Sequence, residues 1–301
     1  MGDIQTDKKS FINCTGGVNL FSLKIQNAKN EIFELTHDSK NYSVISVQGL
    51  APPQTAVNTS TGGLIDGTFF NSARLQQRNI VITIVINGDI ETNRQRLYKI
   101  FNLKKPCKIF FQNENRNVQI EGYVETAECD LFTQREKMQI SIVCPRPYFE
   151  DLNVIYTELA QITREFEFPF DISEPIPFSE VVENPVCTIT NYGDVECGVI
   201  ITATITGSVM GLKIYNTTAQ KYIGFDTSFS SGDKITINTL SGQLGATLLR
   251  AGTTTNLLNL LSAGSEWLKL DLGDNDFTFS TISGSENVQI EIISTALYGG
   301  V

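Results

Sequence analysis

A chain of 301 residues with 41% hydrophobic and 19% charged side chains is long enough for two domains with ordinary cores, without metal or disulfide staples. Its net charge of −10 is uneven: Leu152–Val301 carries 6 basic and 17 acidic residues, against 17 and 16 in the remainder. The acidic half argues against nucleic-acid or anionic-membrane partners, and six scattered cysteines with no C-x-x-C pair and a single histidine, His37, argue against zinc ligation. Met1–Ser10 has no apolar signal core and no apolar run approaches the roughly 20 residues that span a bilayer, so assembly in a reducing cytoplasm is expected.

In chain order, Glu31–Thr36 and Tyr42–Val47 flank a polar turn and predict a hairpin. Ala51–Gly63 is rich in Pro, Thr, Ser and Gly and reads as a loop. Ile80–Ile86 is an almost unbroken β-branched run, which predicts a strand buried on both faces or buried on one face in an intersubunit contact. One helix follows. Asp89 is placed to cap it and Glu91 lies in its first turn, where a carboxylate suits the helix dipole. Ile90, Leu97, Ile100 and Phe101 recur near helical period, Lys99, Lys104 and Lys105 gather at the far end, and Pro106 is the expected stop. Strands resume at Cys107–Phe111, Asn117–Val124 and Lys137–Val143, and Pro145–Phe149 closes the first domain.

Leu152–Asn184 carries Pro169, Pro175, Pro177 and four phenylalanines between acidic residues, which predicts an extended strap rather than a flexible tether. From Asn184 short strands recur with turn signals about every ten residues, the pattern of an antiparallel β-sandwich of six to nine strands. Val186–Thr190, Gly198–Thr206, Lys221–Phe225, Asp233–Asn238, Glu266–Leu272, Asp276–Ser280 and Asn287–Ile293 are its clearest strands. Asn256–Ser262 reads as a helical turn or a loop. The fold class is therefore mainly β, with domains at 1–151 and 185–301 and a linker at 152–184.

Chemistry finds little foothold. A nucleophilic triad would have to use His37, which lies in the polar turn Leu35–Ser39. No P-loop and no dinucleotide glycine fingerprint is present. Asp274, Asn275 and Asp276 are potential calcium ligands, but they lack EF-hand spacing and read better as a hairpin turn. No catalytic residue, metal or cofactor is expected. In Glu266–Leu272 the two-residue period puts Leu268, Leu270 and Leu272 on one face and Trp267 on the other. Three readings of Trp267 stay open: a ring covered by a loop, an anchor for a protein contact, or a platform for a sugar.

The order Gly62–Arg74 (with Gly62, Gly63, Asp66, Gly67, Phe69 and Phe70), Arg78–Ile86, then Arg94, Arg96, Leu97, Tyr98 and Phe101, closing on Pro145–Phe149, resembles the distal tail proteins of long-tailed bacteriophages. The resemblance implies a belt domain that builds a ring, usually a hexamer. It further implies a C-terminal sandwich similar to galectins and carbohydrate-binding modules, carried more loosely by Asn191–Gly193, Gly232–Asp233, Ile237–Thr239 and Leu272–Asn275. The implied role is a non-enzymatic hub of the tail tip or baseplate within the virion. Its expected partners are the tail tube protein, the tail-tip hub or tail-associated lysin protein, and receptor-binding proteins. Leu64, Ile65, Phe69 and Phe70, beside a Gly-rich loop, are the candidate oligomer contacts. The alternative function is a carbohydrate-binding adhesion module on host cell-wall glycans, with Trp267 at its centre. The His-Asn-Arg cluster of a galectin sugar site is missing, because residues 185–301 contain no histidine and only one arginine, Arg250.

Overall fold

The computed structural model describes residues 21–35, 40–63, 66–133, 135–160, 162–164, 179–181 and 185–301. His37, Leu64, Ile65 and most of the Pro- and Phe-rich linker lie outside the described residues. The strands before the helix are β1 (Ser22–Gln26), β2 (Ile32–Leu35), β3 (Tyr42–Gln48), β4 (Thr55–Ser60), β5 (Phe69–Leu75) and β6 (Arg78–Ile86), followed by helix α1 (Ile90–Ile100). After it come β7 (Pro106–Gln112), β8 (Asn117–Cys129), β9 (Lys137–Cys144), β10 (Phe149–Ala160), β11 (Ile162–Arg164), β12 (Ser179–Val181), β13 (Cys187–Asn191) and β14 (Cys197–Ile205). The last are β15 (Val209–Asn216), β16 (Lys221–Phe229), β17 (Lys234–Asn238), β18 (Gly245–Arg250), β19 (Thr253–Asn256), β20 (Lys269–Leu270), β21 (Gly273–Ser283) and β22 (Val288–Tyr298). The chain folds into two compact units. One takes the described residues up to Gln48 together with Asn79–Pro145, and the other takes Gly49–Arg78 together with Arg146–Val301.

In the first unit the antiparallel order is β3-β6-β9-β8-β7-β1-β2. Among the described residues the expected hairpin between Glu31–Thr36 and Tyr42–Val47 is replaced by other pairings: β2 pairs with β1, and β3 pairs with β6. The turn that does close is Asn27–Glu31. Asn27 Oδ1 accepts from the Lys29 and Glu31 amides at 2.9 and 3.1 Å, its Nδ2 donates to the Glu31 carboxylate, and Asn30 takes a left-handed φ of 63°. The isoleucine run becomes β6, with Ile80, Ile82, Ile84 and Ile86 buried and the residues between them half-buried. Asp89 caps α1 by accepting from the Thr92 amide, and Leu97, Ile100 and Phe101 face the core. Ile90 is exposed. The inward place near the N-terminus goes to Asn93, whose amide donates to the Asn87 carbonyl at 2.7 Å. The helix ends at Ile100, before Pro106, which instead starts β7.

In the second unit, one sheet runs β19-β18-β17-β14-β22-β10, with β20 paired to β14, and a second runs β13-β21-β15-β16. All these pairs are antiparallel. The inward residues of both sheets form one core. Val199, Ile201, Ala203, Ile235, Ile290 and Ile292 come from the first sheet, and Leu212, Ile214, Ile223, Phe225, Phe277 and Phe279 from the second. This is the anticipated sandwich, and it has ten strands between Cys187 and Tyr298. β15 escapes the periodic pattern because Gly211, at φ 58°, sits in a register shift between Met210 and Leu212. Leu152–Ala160, expected to begin the strap, belongs to β10 and pairs with β22.

Three buried asparagines fasten one end of this sandwich. Asn275 donates to the carbonyls of Asp271 and Gly273 at 2.8 and 2.9 Å, and its Oδ1 accepts from the Asp271 amide and from Asn216 Nδ2. Asn216 also donates to the Lys269 carbonyl, and Asn191 donates to the carbonyls of Val195 and Leu270. The Asn191 and Asn275 turn motifs of the sequence are therefore structural clasps around the short strand β20.

Candidate functional site

β4 and β5 form a two-stranded ribbon that belongs to neither sandwich sheet. Ala51–Gly63 is thus not simply a loop. Thr55, Val57 and Thr59 suit a strand, but no residue of β4 is buried, so no alternating apolar signal marks it. Cross-strand bonds from Asn58 to Ser72 and from Ser60 to Asn71, and the Gln76 amide to the Gln54 carbonyl at 2.9 Å, hold the two strands together. A register shift at Asn71 decides the faces. It puts Phe70 opposite Thr59, on the face that also carries Val57, Ala73 and Leu75, while Phe69 falls on the opposite face beside Ser60, Ser72 and Arg74. Val57, Phe69 and Phe70 are 57%, 54% and 67% exposed. The two candidate phenylalanines therefore stand on opposite faces, and Phe70 belongs to the more apolar one.

The root of the ribbon is unlike its length. Arg78, the first residue of β6, is buried at 2% exposure. Its guanidinium donates to four backbone carbonyls: Pro147 through Nε at 2.8 Å, Gly49 and Ala51 through Nη1 at 2.5 and 2.7 Å, and Gly299 through Nη2 at 2.5 Å. The buried Phe149 ring lies 4.4 Å from Cζ. Only arginine offers several donors in one rigid plane, which is what these converging carbonyls require. Its role went unread in the sequence, although a signal existed. Arg78 shares the parity of Ile80, Ile82, Ile84 and Ile86, so the period of β6 already placed it on the buried face.

Trp267 does not stand on the outer face of a strand. Regular pairing begins only at Lys269, and the preceding segment runs along β16, with the Ser262 and Glu266 amides donating to the Gly224 and Tyr222 carbonyls at 2.8 Å. The indole is half-buried against the sandwich core. Leu268 and Leu270 are buried as expected, but Leu272 is exposed because the chain turns at Gly273 into β21. Near Trp267 in sequence, Glu266 and Lys269 are engaged in ion pairs, with Lys221 at 3.4 Å and Glu196 at 2.5 Å.

The acidic turn is also committed. Asp274 and Asp276 accept from the Thr190 and Thr188 hydroxyls at 2.6 Å, and Asn275 is the buried clasp. Among the described residues no group of three or more His, Cys, Asp or Glu is placed to hold a metal ion. The described cysteines are free thiols. Burial, helped by Glu121, pushes Cys107 up to about 12, and burial with Glu196 pushes Cys197 to about 11, so neither is a ready nucleophile. Arg250 is engaged by the buried Asp233 at 2.8 and 2.5 Å.

Two family models match the chain in succession. The phage tail protein RIFT-related domain matches residues 29–144, and the C-terminal domain of the siphovirus-type tail component matches residues 192–292. The chain belongs to the siphovirus-type distal tail protein family, structural components of the phage virion. Its fold is that of the distal tail protein of phage SPP1. That crystal structure is described as a paradigm of the hub adsorption apparatus of phages infecting Gram-positive hosts. It aligns with a TM-score of 0.65 at 14% identity, over 92% of this chain and 98% of that one. The baseplate of phage P2 in its Ca-activated conformation is a more distant structural neighbour, with a TM-score of 0.48 at 13% identity over 92% of this chain and 98% of that one. No curated protein matches the sequence. Among the described residues no helix is long and apolar enough to cross a membrane.

Proposed function

We propose that this chain is the non-enzymatic hub subunit of a tail tip, assembled in the host cytoplasm as a hexameric ring. The ring joins the tail tube to the tail-tip hub or tail-associated lysin protein and to receptor-binding proteins. The observation that carries this reading is the β4–β5 ribbon. A two-stranded ribbon is marginal in water by itself, and this one exposes an apolar face containing Val57, Ala73 and Phe70. A subunit of a closed ring needs two different contact surfaces, because each copy is gripped by one neighbour and grips the other. The ribbon is one of them, and its occupant is a second copy of this chain.

Light scattering on the size-separated protein, followed by negative-stain imaging, tests the reading. A six-fold ring with a central channel supports it, and a monomer at every concentration counts against it. Glycan binding through Trp267 is the less favoured function, since much of the indole packs on the core. Glycan-array signal abolished by Trp267→Ala would reverse that preference.

A further inference from the structure

The ribbon lies inside the stretch matched by the N-terminal family domain, yet it packs with the unit that contains the sandwich. Arg78 explains how. The carbonyls it gathers come from the lead-in to β4 (Gly49 and Ala51), the lead-in to β10 (Pro147) and the residue after β22 (Gly299). β10 and β22 are adjacent strands of the sandwich, paired from Phe149↔Tyr298 to Ala160↔Gln289. The chain beyond β22 adds to the same knot. The Val301 amide donates to the Leu50 carbonyl at 3.1 Å, and the Gly299 amide donates to Asp194 at 3.0 Å. Gly300 lies so close to the ribbon's root that a Cβ would sit 2.9 Å from Pro52 Cδ.

We infer that Arg78 is the positioning residue of the ring contact: it locks the root of the β4–β5 ribbon to β10, β22 and residues 299–301, so that the sandwich sets the direction in which the Phe70 face meets the next copy. This rests on the ring reading above, but the lock itself is measurable without a ring. A contact element ordered by its root, rather than by burial along its length, is presented ready for its partner and saves the ordering cost at assembly.

The test is hydrogen exchange on the full chain at a dilution where it is monomeric, with light scattering at high concentration. The comparison is between the native protein, Arg78→Lys and Phe70→Ser. Lysine keeps the charge but its single ammonium cannot serve all the carbonyls that converge on the guanidinium plane. In Arg78→Lys the amides of Thr55–Ser60 and Phe69–Leu75 exchange at least about tenfold faster, those of Ile201 and Ile292 keep their rates, and assembly falls. Phe70→Ser keeps native exchange and loses assembly. Equal ribbon exchange in Arg78→Lys and the native protein overturns the inference, and so does faster ribbon exchange with undiminished assembly. Acceleration spread equally over β14 and β22 also overturns it, by making Arg78 a general stabiliser. Should Arg78→Lys fail to fold, Gly300→Val decides. It crowds Pro52 and the Leu50 carbonyl at the ribbon's root, and the same ribbon-only acceleration is expected; native ribbon rates would sink the idea. A native chain that never self-associates removes the ring reading, while the exchange contrast still decides the lock.

Discussion

Strand β22 and the β4–β5 ribbon are both antiparallel pairings within one unit and meet opposite fates. β22 is hydrogen-bonded on both edges, to β10 and β14, and buries every second side chain from Val288 to Tyr298. The ribbon has no buried residue in either strand. β22 carries Val288, Ile290, Ile292 and Ile293, whereas the ribbon mixes Val57, Phe69 and Phe70 with Asn and Ser, so propensity separates them in part and what their side chains pack against separates them further. β22 is held along its whole length, whereas the ribbon is held at one end, by Arg78. On the ring reading proposed above, stability resides in the sandwich and recognition in the ribbon, and substitutions in the two should have separable effects.

The sharpest contrast compares two phenylalanines. Phe277→Ala, at a fully buried position of β21, is expected to lower the unfolding free energy by about 3–5 kcal/mol in a urea titration. Phe70→Ser is expected to change it by no more than about 0.5 kcal/mol. Equal losses would erase the distinction. Next comes Asn275→Leu, which strips partners from the Asp271 and Gly273 carbonyls and the Asp271 amide. A loss of about 3 kcal/mol in the same titration is expected, because buried groups are left unpaired. Asp89→Ala removes the α1 cap and should cost about 1 kcal/mol, read as increased exchange in the first helical turn.

The smallest effect is a pH dependence. The hydrogen bond from Arg250, with lesser help from the Ser230 amide, holds the Asp233 carboxyl below its usual value against the opposing effect of burial. Depressed in the folded state, this group contributes stability that is fully present above its unfolded pKa of about 4 and is lost as pH falls through the folded value. Asp233→Asn should flatten the acid limb of the melting-temperature profile below about pH 4. An unchanged acid limb would mean that the pair does not report on folding.

Much of the architecture was legible because burial wrote a period into the sequence. The isoleucine run of β6, the Asp89 cap, and strands β14, β17 and β22 all carry alternation or capping signals that the structure repeats. The ribbon was half-hidden for the same reason: strands exposed on both faces have no period to show. Phe69 and Phe70 were visible as exposed aromatics and, as neighbours in one strand, take opposite faces; the shift at Asn71 that decides which of them joins Val57 and Ala73 leaves no mark in composition. Arg78 had the right parity to be recognised as buried, but the carbonyls that satisfy it come from residues as far away as Gly299, beyond the reach of local spacing. Trp267 was misplaced because its segment pairs sideways with β16 instead of continuing β20. β3 likewise depends on a distant partner, β6, whereas β2 closes a local hairpin with β1 through the Asn27–Glu31 turn.

The most direct test of the account is a paired measurement on the native protein and Phe70→Ser: mass by light scattering across concentration, with the melting temperature of each. The account predicts a ring-sized species for the native chain, its loss in Phe70→Ser, and melting temperatures of the dissociated chains within a degree or two of each other. Phe70→Ser rings as stable as the native ones, or a variant that fails to assemble only because it unfolds, would contradict the claim that recognition resides in the ribbon and stability in the sandwich.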